Sequence, residues 1–415
     1  MVKVHCLGGF REVGRNAALI EGSKNIMCDY GVKVENGQPP KPFKGKVDGV
    51  FITHGHLDHL GLAPAIHKQK KCPVYVTGPT ADLTSLLLRD SLKIAKLKGM
   101  PQRYTPADVV SLHKHQKIIH HGDTVSFGKT KVTVWDAGHI PGSCMFVVKT
   151  GGKKILYTGD FKIKPTRLVT GARFDIKKID AVLMETTYSA KEHPPRKTVE
   201  KKLFKDVKDT IGAGGIALLP SFAIRAPEML MVLDHFGADF PVYLDGMAKD
   251  ATSIFLKYPE FLRDPEALKA AVDNVIPLYS QEERNNALKE PCAIVTTGGC
   301  MDGGPIVHYI KKLYSDPVSS LILSGFQIPG TAGRYLIDTG RFVQGVMDLK
   351  LKMKLSQYDM SGHAGRDELL KFVQTLNPKK VICMHGEYTT KFATELNSRF
   401  DVEAIAPKNG EVVRI

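Results

Sequence analysis

The chain has 415 residues, with 58 Lys and Arg against 43 Asp and Glu, a formal charge of +15 and a pI near 9.3. An enzyme of small neutral metabolites gains little from that excess, whereas a polyanion-binding surface gains both affinity and association rate. Seven scattered cysteines with no Cys-x-x-Cys pair exclude a disulfide framework, and no run of 18 apolar residues is present to span a membrane. The expectation is a globular, cytoplasmic α/β protein without a targeting segment, long enough for two or three domains of about 150 residues.

In chain order, Val2–Leu7, Ala17–Ile20 and Asn25–Cys28 read as short strands among glycine turns. Asp29 follows the third, either as a turn-former or as support for a metal ligand from behind. Gly49–Thr53 is a short apolar strand, and helical composition resumes at Leu60–Ile66. Between them stands His54-Gly55-His56-Leu57-Asp58-His59, which puts four metal-competent side chains in one strand-to-helix turn. Imidazole with carboxylate suits zinc, and alternate side chains of a tight turn can face two neighbouring ions. The plain alternative, a polar turn with a few buried histidines, does not account for four liganding residues at this spacing.

Further on, Pro73–Thr77 is a strand, Thr80–Lys98 carries leucines at helical spacing, and Pro106–His113 is a short helix. His113, His115, His120 and His121 form a second cluster. Lysines are interspersed and no carboxylate stands at a useful offset, so a solvated strand or loop explains it better than a ligand set. Apolar strands then run into His139, Asp160 and Glu185 in turn. Polar residues just past the carboxyl ends of strands are where α/β folds place chemistry.

Near residue 190 a Pro-rich charged stretch opens a run of alternating strands and helices, which implies a parallel sheet covered by helices. From about Leu349 the pattern returns to the turn Asp359–Gly365, the strand Lys380–Met384 and His385. The expected divisions are 1–193, 194–348 and 349–415. Taken together, His54, His56 and His139 would hold one zinc ion and Asp58, His59 and His385 a second, with Asp160 bridging. Two such ions activate water near neutral pH and offset charge on a phosphoryl group.

These residues carry a resemblance. His54–His59 with Asp29, His139 and Asp160 resembles the metallo-β-lactamase signature, and the insertion at about 194–348 is similar to that of the β-CASP nucleases. Glu185, His363 in Met360–Ala364 and His385 in Met384–Glu387 match that family's later motifs, so the resemblance spans essentially the whole chain. Thr296–Pro305 and Ser324–Arg334 resemble the archaeal and eukaryotic cleavage-and-polyadenylation-factor branch, with RNase J a near relative. The chain begins at the first lactamase strand and ends at Ile415, without the N-terminal RNA-binding KH domains or the C-terminal RNase J domain of larger relatives.

The resemblance implies an αββα metallo-β-lactamase sandwich with an inserted β-CASP domain, and a two-zinc hydrolase of single-stranded RNA. Asp58, Glu185 and His363 would be catalytic, with His363 paired to Glu185 as proton donor, while Ser361, Gly362 and Arg334 would contact substrate phosphate. Internal cutting is expected, with 5′-to-3′ exonuclease action as the alternative. Partners would be RNA and either a second copy of the chain or an RNA-processing complex. A small-substrate metallo-hydrolase is disfavoured by the charge and the insertion, and a decayed RNA-binding subunit by the complete set of seven ligands.

Overall fold

The computed structural model describes residues 1–415. Two compact units emerge, one of Met1–Pro165, Thr170–Glu192 and Gly362–Ile415, the other of Thr166–Val169 and His193–Ser361.

The first unit contains two seven-stranded sheets. One runs Val412–Arg414, Lys3–Gly8, Ala17–Glu21, Asn25–Cys28, Gly49–Phe51, Val74–Val76, Lys117–Ile118. The other runs Glu403–Ile405, Lys380–Met384, Ala181–Glu185, Lys153–Tyr157, Cys144–Thr150, Thr130–Asp136, Thr124–Phe127. Successive side chains of a strand face opposite sides, and here both sides are apolar. Ala18, Ile20, Ile26 and Cys28 meet Phe146, Ile155, Tyr157 and Leu183 in the core between the sheets. Their neighbours Leu19 and Met27 face outward onto Leu60, Ile66, Leu88 and Leu112 of the covering helices. Leu156, Val182 and Met184 do the same against Phe372, Phe392 and Leu396 of Arg366–Leu376 and Thr389–Arg399. The result is the expected four-layer αββα sandwich, each fully buried aliphatic or Phe contributing about 1.5–3 kcal/mol.

The second unit has one six-stranded sheet in the order Ile276–Leu278, Val242–Asp245, Ala293–Thr297, Ala217–Ser221, Ser320–Leu323, Lys354–Gln357. Every pairing in it is parallel. The helices between its strands bury Ile306, Tyr309, Ile310 and Leu336 against it, and the loop at 298–305 adds Met301. Lys354–Gln357 pairs with Ser320–Leu323, and the second unit runs to Ser361 before the chain re-enters the first at Gly362. Alternation in that short strand does not say which sheet it joins; long-range pairing does.

Candidate metal centre

Gly49–Phe51 is an interior strand, and the chain leaves it through buried Ile52 and Thr53 into His54. His56 caps a four-residue helix, Leu57–Leu60, which carries Asp58 and His59. The turn is packed against Asp29-Tyr30-Gly31 so closely that a Cβ on Gly31 would lie 1.7 Å from the Asp58 carbonyl oxygen. Only glycine fits there.

The strand ends bring the other side chains to this turn. His54 Nε2 lies 2.9 Å from His56 Nδ1, and His139 Nε2 lies 3.2 Å from the same atom. Asp160 Oδ2 is 3.5 Å from His54 Nε2 and 3.2 Å from His59 Nε2. His385 Nε2 is 3.2 Å from Asp58 Oδ2, and its Nδ1 is 3.1 Å from Asp160 Oδ1. Donor atoms of His54, His56, His139 and Asp160 form one group, and those of Asp58, His59 and His385 another. Asp160 also converges with Glu185, His363 and His385.

Three observations fit a metal. Burial holds His54 and His139 well below the ordinary 6.5 and His56 at about 4, so neutral rings crowd three nitrogens together with no more than one proton to share. Asp160 Oδ1 is buried and accepts no well-directed hydrogen bond, although His385 lies beside it. Burial opposes charge on His385 too, yet Asp160 and Asp58 outweigh it and raise that imidazole to about 10. This negative field, answered by a proton on His385, is one a metal cation would answer instead.

Most rings are held from behind by Nδ1, the arrangement that fixes a ligand's tautomer and leaves Nε2 to the metal. His59 Nδ1 lies 2.7 Å from Asp29 Oδ2, His139 Nδ1 2.8 Å from the Gly362 carbonyl and His385 Nδ1 3.0 Å from Thr187 Oγ1. His54 Nδ1 lies 3.0 Å from Thr53 Oγ1, which donates to Asp29. Asp29 itself stands just past its strand at φ 58°, a buried acceptor behind His59.

Glu185 is buried and lies 3.1 Å from His363 Nδ1, while accepting the Phe161 amide at 2.9 Å. Burial disfavours a charged His363, but Glu185 and Asp160 outweigh it and raise its pKa. The expected phosphate contacts are more dispersed. Arg334 sits on the helix Ala332–Thr339, bound through both Nε and Nη to Asp338, and the Ser361 carbonyl accepts from Arg196. The second histidine cluster stays apart from every convergent group: His113 and His115 are exposed on a helix, rather than on a strand or loop, and His120 is exposed beyond it.

Several supporting residues gave no signal in the sequence. Asn16 Nδ2 meets His59 Nε2 at 3.0 Å, and the Tyr157 hydroxyl donates to Asp29 at 3.0 Å. The buried Lys162 ammonium donates to the His363 carbonyl at 2.9 Å and pairs with Glu368 at 3.4 Å. Glu368 in turn accepts from the Ile163, Lys164 and Gly365 amides, which ties the Asp160 loop to the His363 loop. The glycine-rich segment around Asn16 and the Asp-Phe-Lys after Gly159 were the only hints available.

Fold and site define a metallo-hydrolase of the metallo-β-lactamase type, and residues 11–201 match the metallo-beta-lactamase superfamily. Residues 226–336 match the Beta-Casp domain, and residues 348–407 the Zn-dependent metallo-hydrolase RNA specificity domain. The chain is 36% identical to the probable RNase MJ4 of Methanocaldococcus jannaschii, over 98% of this chain and 99% of that one. It is 35% identical to RNase aCSPSF2 of Saccharolobus solfataricus, over 99% of this chain and 84% of the relative. Against the transcription termination factor FttA of Pyrococcus horikoshii it is 33% identical, over 100% and 71%. The chain belongs to the β-CASP ribonuclease family of the metallo-β-lactamase superfamily.

Proposed function

We propose that this chain hydrolyses phosphodiester bonds of single-stranded RNA with two zinc ions, cutting internally, in RNA processing or transcription termination. The observation that carries the reading is the convergence of His54, His56, His139, Asp160, Asp58, His59 and His385, with the Glu185–His363 pair at its edge. The RNA specificity domain and relatives that bear ribonuclease names support RNA as the polymer.

His54, His56 and His139 would hold one zinc ion, Asp58, His59 and His385 the other, and Asp160 both. Zinc bound there supplies a Lewis acid for phosphoryl oxygens and a water of lowered pKa. The chain's own residues do the rest. Glu185 takes the Nδ1 proton of His363 as a hydrogen bond and balances the imidazolium charge. His363 then gives its other proton to the leaving oxygen, a transfer worth about 10²–10⁴ in rate. Asp29 and the Gly362 carbonyl keep His59 and His139 aimed. Ser361, Gly362 and, less directly because of Asp338, Arg334 are the proposed phosphate contacts.

Internal cutting rests on the likeness of Gly330–Arg334 to the cleavage-factor branch, and 5′-to-3′ exonuclease action is the second reading. Cytoplasmic location belongs to the same proposal, and no helix is long and apolar enough to cross a membrane. Circular and 5′-monophosphorylated linear RNA, incubated with metal-loaded protein, test it. Cut circles support internal cleavage. Intact circles beside linear RNA reduced to mononucleotides would establish the exonuclease, and matched rates on single-stranded DNA would remove the preference for RNA.

A further inference from the structure

The charge excess is concentrated. Between residues 66 and 118 there are ten Lys and Arg against three Asp and no Glu. This stretch holds the helices Gly78–Leu97 and Pro106–His115, the last turn of Ala63–Lys70 and the edge strand Lys117–Ile118. Where the Ala63–Lys70 helix ends, a cavity of about 460 Å³ is lined by Lys68, Lys71, Lys114, Lys117, His67 and His115. Lys68 pairs with Asp108. The ammonium groups of Lys71, Lys114 and Lys117 make no ion pair or hydrogen bond, although they line one concave site. Elsewhere exposed lysines do find carboxylates, as Lys205 finds Asp209 and Lys269 finds Asp273.

Two further features separate this pocket from an ordinary solvated face. Lys71 has φ 49°, in the left-handed region that favours glycine at a helix end, so a lysine there carries a backbone cost. His67 and His115 stack at 5.8 Å, with Nδ1 of each against a carbonyl oxygen, Cys72 and Ser111 respectively. Each Nδ1–H is thereby engaged. The two rings are held as a pair beside the lysines.

Exposed lysines without carboxylate partners along one pocket repel one another, and a phosphate oxyanion relieves that repulsion through charge-assisted hydrogen bonds. We infer that this pocket is a second phosphate-binding site, which grips a single strand of RNA outside the metal centre. The inference rests on the ribonuclease reading for the identity of the polyanion. The metal-ligand turn precedes the near end of the Ala63–Lys70 helix; the pocket runs along that helix from Pro64, and its Lys68 and Lys71 stand at the far end, where eight residues span about 12 Å. Only a strand long enough to pass beyond the scissile bond reaches it. The pocket therefore acts on long RNA and is silent on short oligonucleotides.

The test uses metal-loaded protein with Lys71→Ala, Lys114→Ala and Lys117→Ala combined, its fold checked by melting temperature and metal content. Affinity for a phosphorothioate RNA strand, which keeps the charge and resists hydrolysis, is measured across salt concentrations. The slope of log K against log salt should become shallower by about 2 on the long strand, at about 0.7 per phosphate contact. On a short phosphorothioate oligonucleotide the slope should stay as it was, and so should the cleavage rate on its ordinary counterpart. An unchanged slope on the long strand overturns the inference, as does an equal loss on both lengths. Lost binding to anionic vesicles or an acidic peptide, with RNA binding intact, assigns the pocket to another partner. Cleavage of ordinary RNA by the unsubstituted protein is scored separately. Binding without cleavage would sink the ribonuclease reading while leaving the slope to judge the pocket; absence of RNA binding would end both.

Discussion

Asp29 Oδ2 lies 2.7 Å from His59 Nδ1, and both side chains are buried. The same carboxylate accepts from the Thr53 amide, the Thr53 hydroxyl and the Tyr157 hydroxyl. Every group around it is a donor, so the site requires two acceptor oxygens. Asp29→Asn puts an NH2 against donors at nearly constant volume. Metal affinity should fall about 10–100-fold, the usual worth of a partner behind a ligand. Titration against a chelator measures it. Unchanged affinity would mean that His59 keeps its orientation without Asp29.

His56→Ala and Asp160→Ala should lose metal and activity together, because each removes a side chain at the heart of a convergent group. His363→Ala should behave differently. Its Nδ1 is turned to Glu185, so about two zinc ions per chain should remain while the rate drops about 10²–10⁴-fold. Elemental analysis alongside single-turnover cleavage separates the cases. Metal loss in the His363 variant would make it a ligand.

Lys162→Met should keep the metal and slow cleavage by up to about 10²-fold, the cost of a small misplacement of a reacting group. The ammonium holds the His363 carbonyl, and Glu368 stays satisfied by three amides without it. A structural role alone would lower the melting temperature and leave the turnover of folded protein intact. That outcome would remove Lys162 from the positioning of His363.

In the second unit Glu228 is fully buried between Arg196 and Arg225, each at 2.5 Å. Burial pushes its carboxyl up, but the two guanidiniums outweigh it and hold it below the ordinary 4.5. A depressed pKa in the folded state contributes stability at pH above 4.5, which is lost as pH falls through the folded value. Melting curves across that acid range should therefore fall less steeply for Glu228→Gln than for the unsubstituted protein. At neutral pH that variant should be about 1–3 kcal/mol less stable, since it takes a carboxylate from two part-buried guanidiniums, of which Arg196 keeps Glu200. Parallel acid limbs would show that Glu228 does not carry the linkage.

Some of this was legible in the residues, for a local reason. His54, His56, Asp58 and His59 stand within six positions, where a strand end and a helix start dictate how side chains fan out. The apolar runs into His139, Asp160 and Glu185 marked strand ends equally well, and the strand–helix alternation after residue 190 marked a parallel sheet. Tertiary structure decided what local pattern cannot carry. His385 reaches the centre because Lys380–Met384 lies parallel to Ala181–Glu185 with Met384 opposite Glu185, a register set by long-range packing. Lys354–Gln357 joined the second sheet for the same kind of reason. Asn16, Tyr157, Lys162 and Glu368 are ordinary polar residues in the sequence; their roles come from buried hydrogen bonds, whose partners lie from about forty to more than two hundred positions away. Which donor meets which acceptor there is settled only when the layers close and water is excluded, since an unpaired polar group is then too costly to leave.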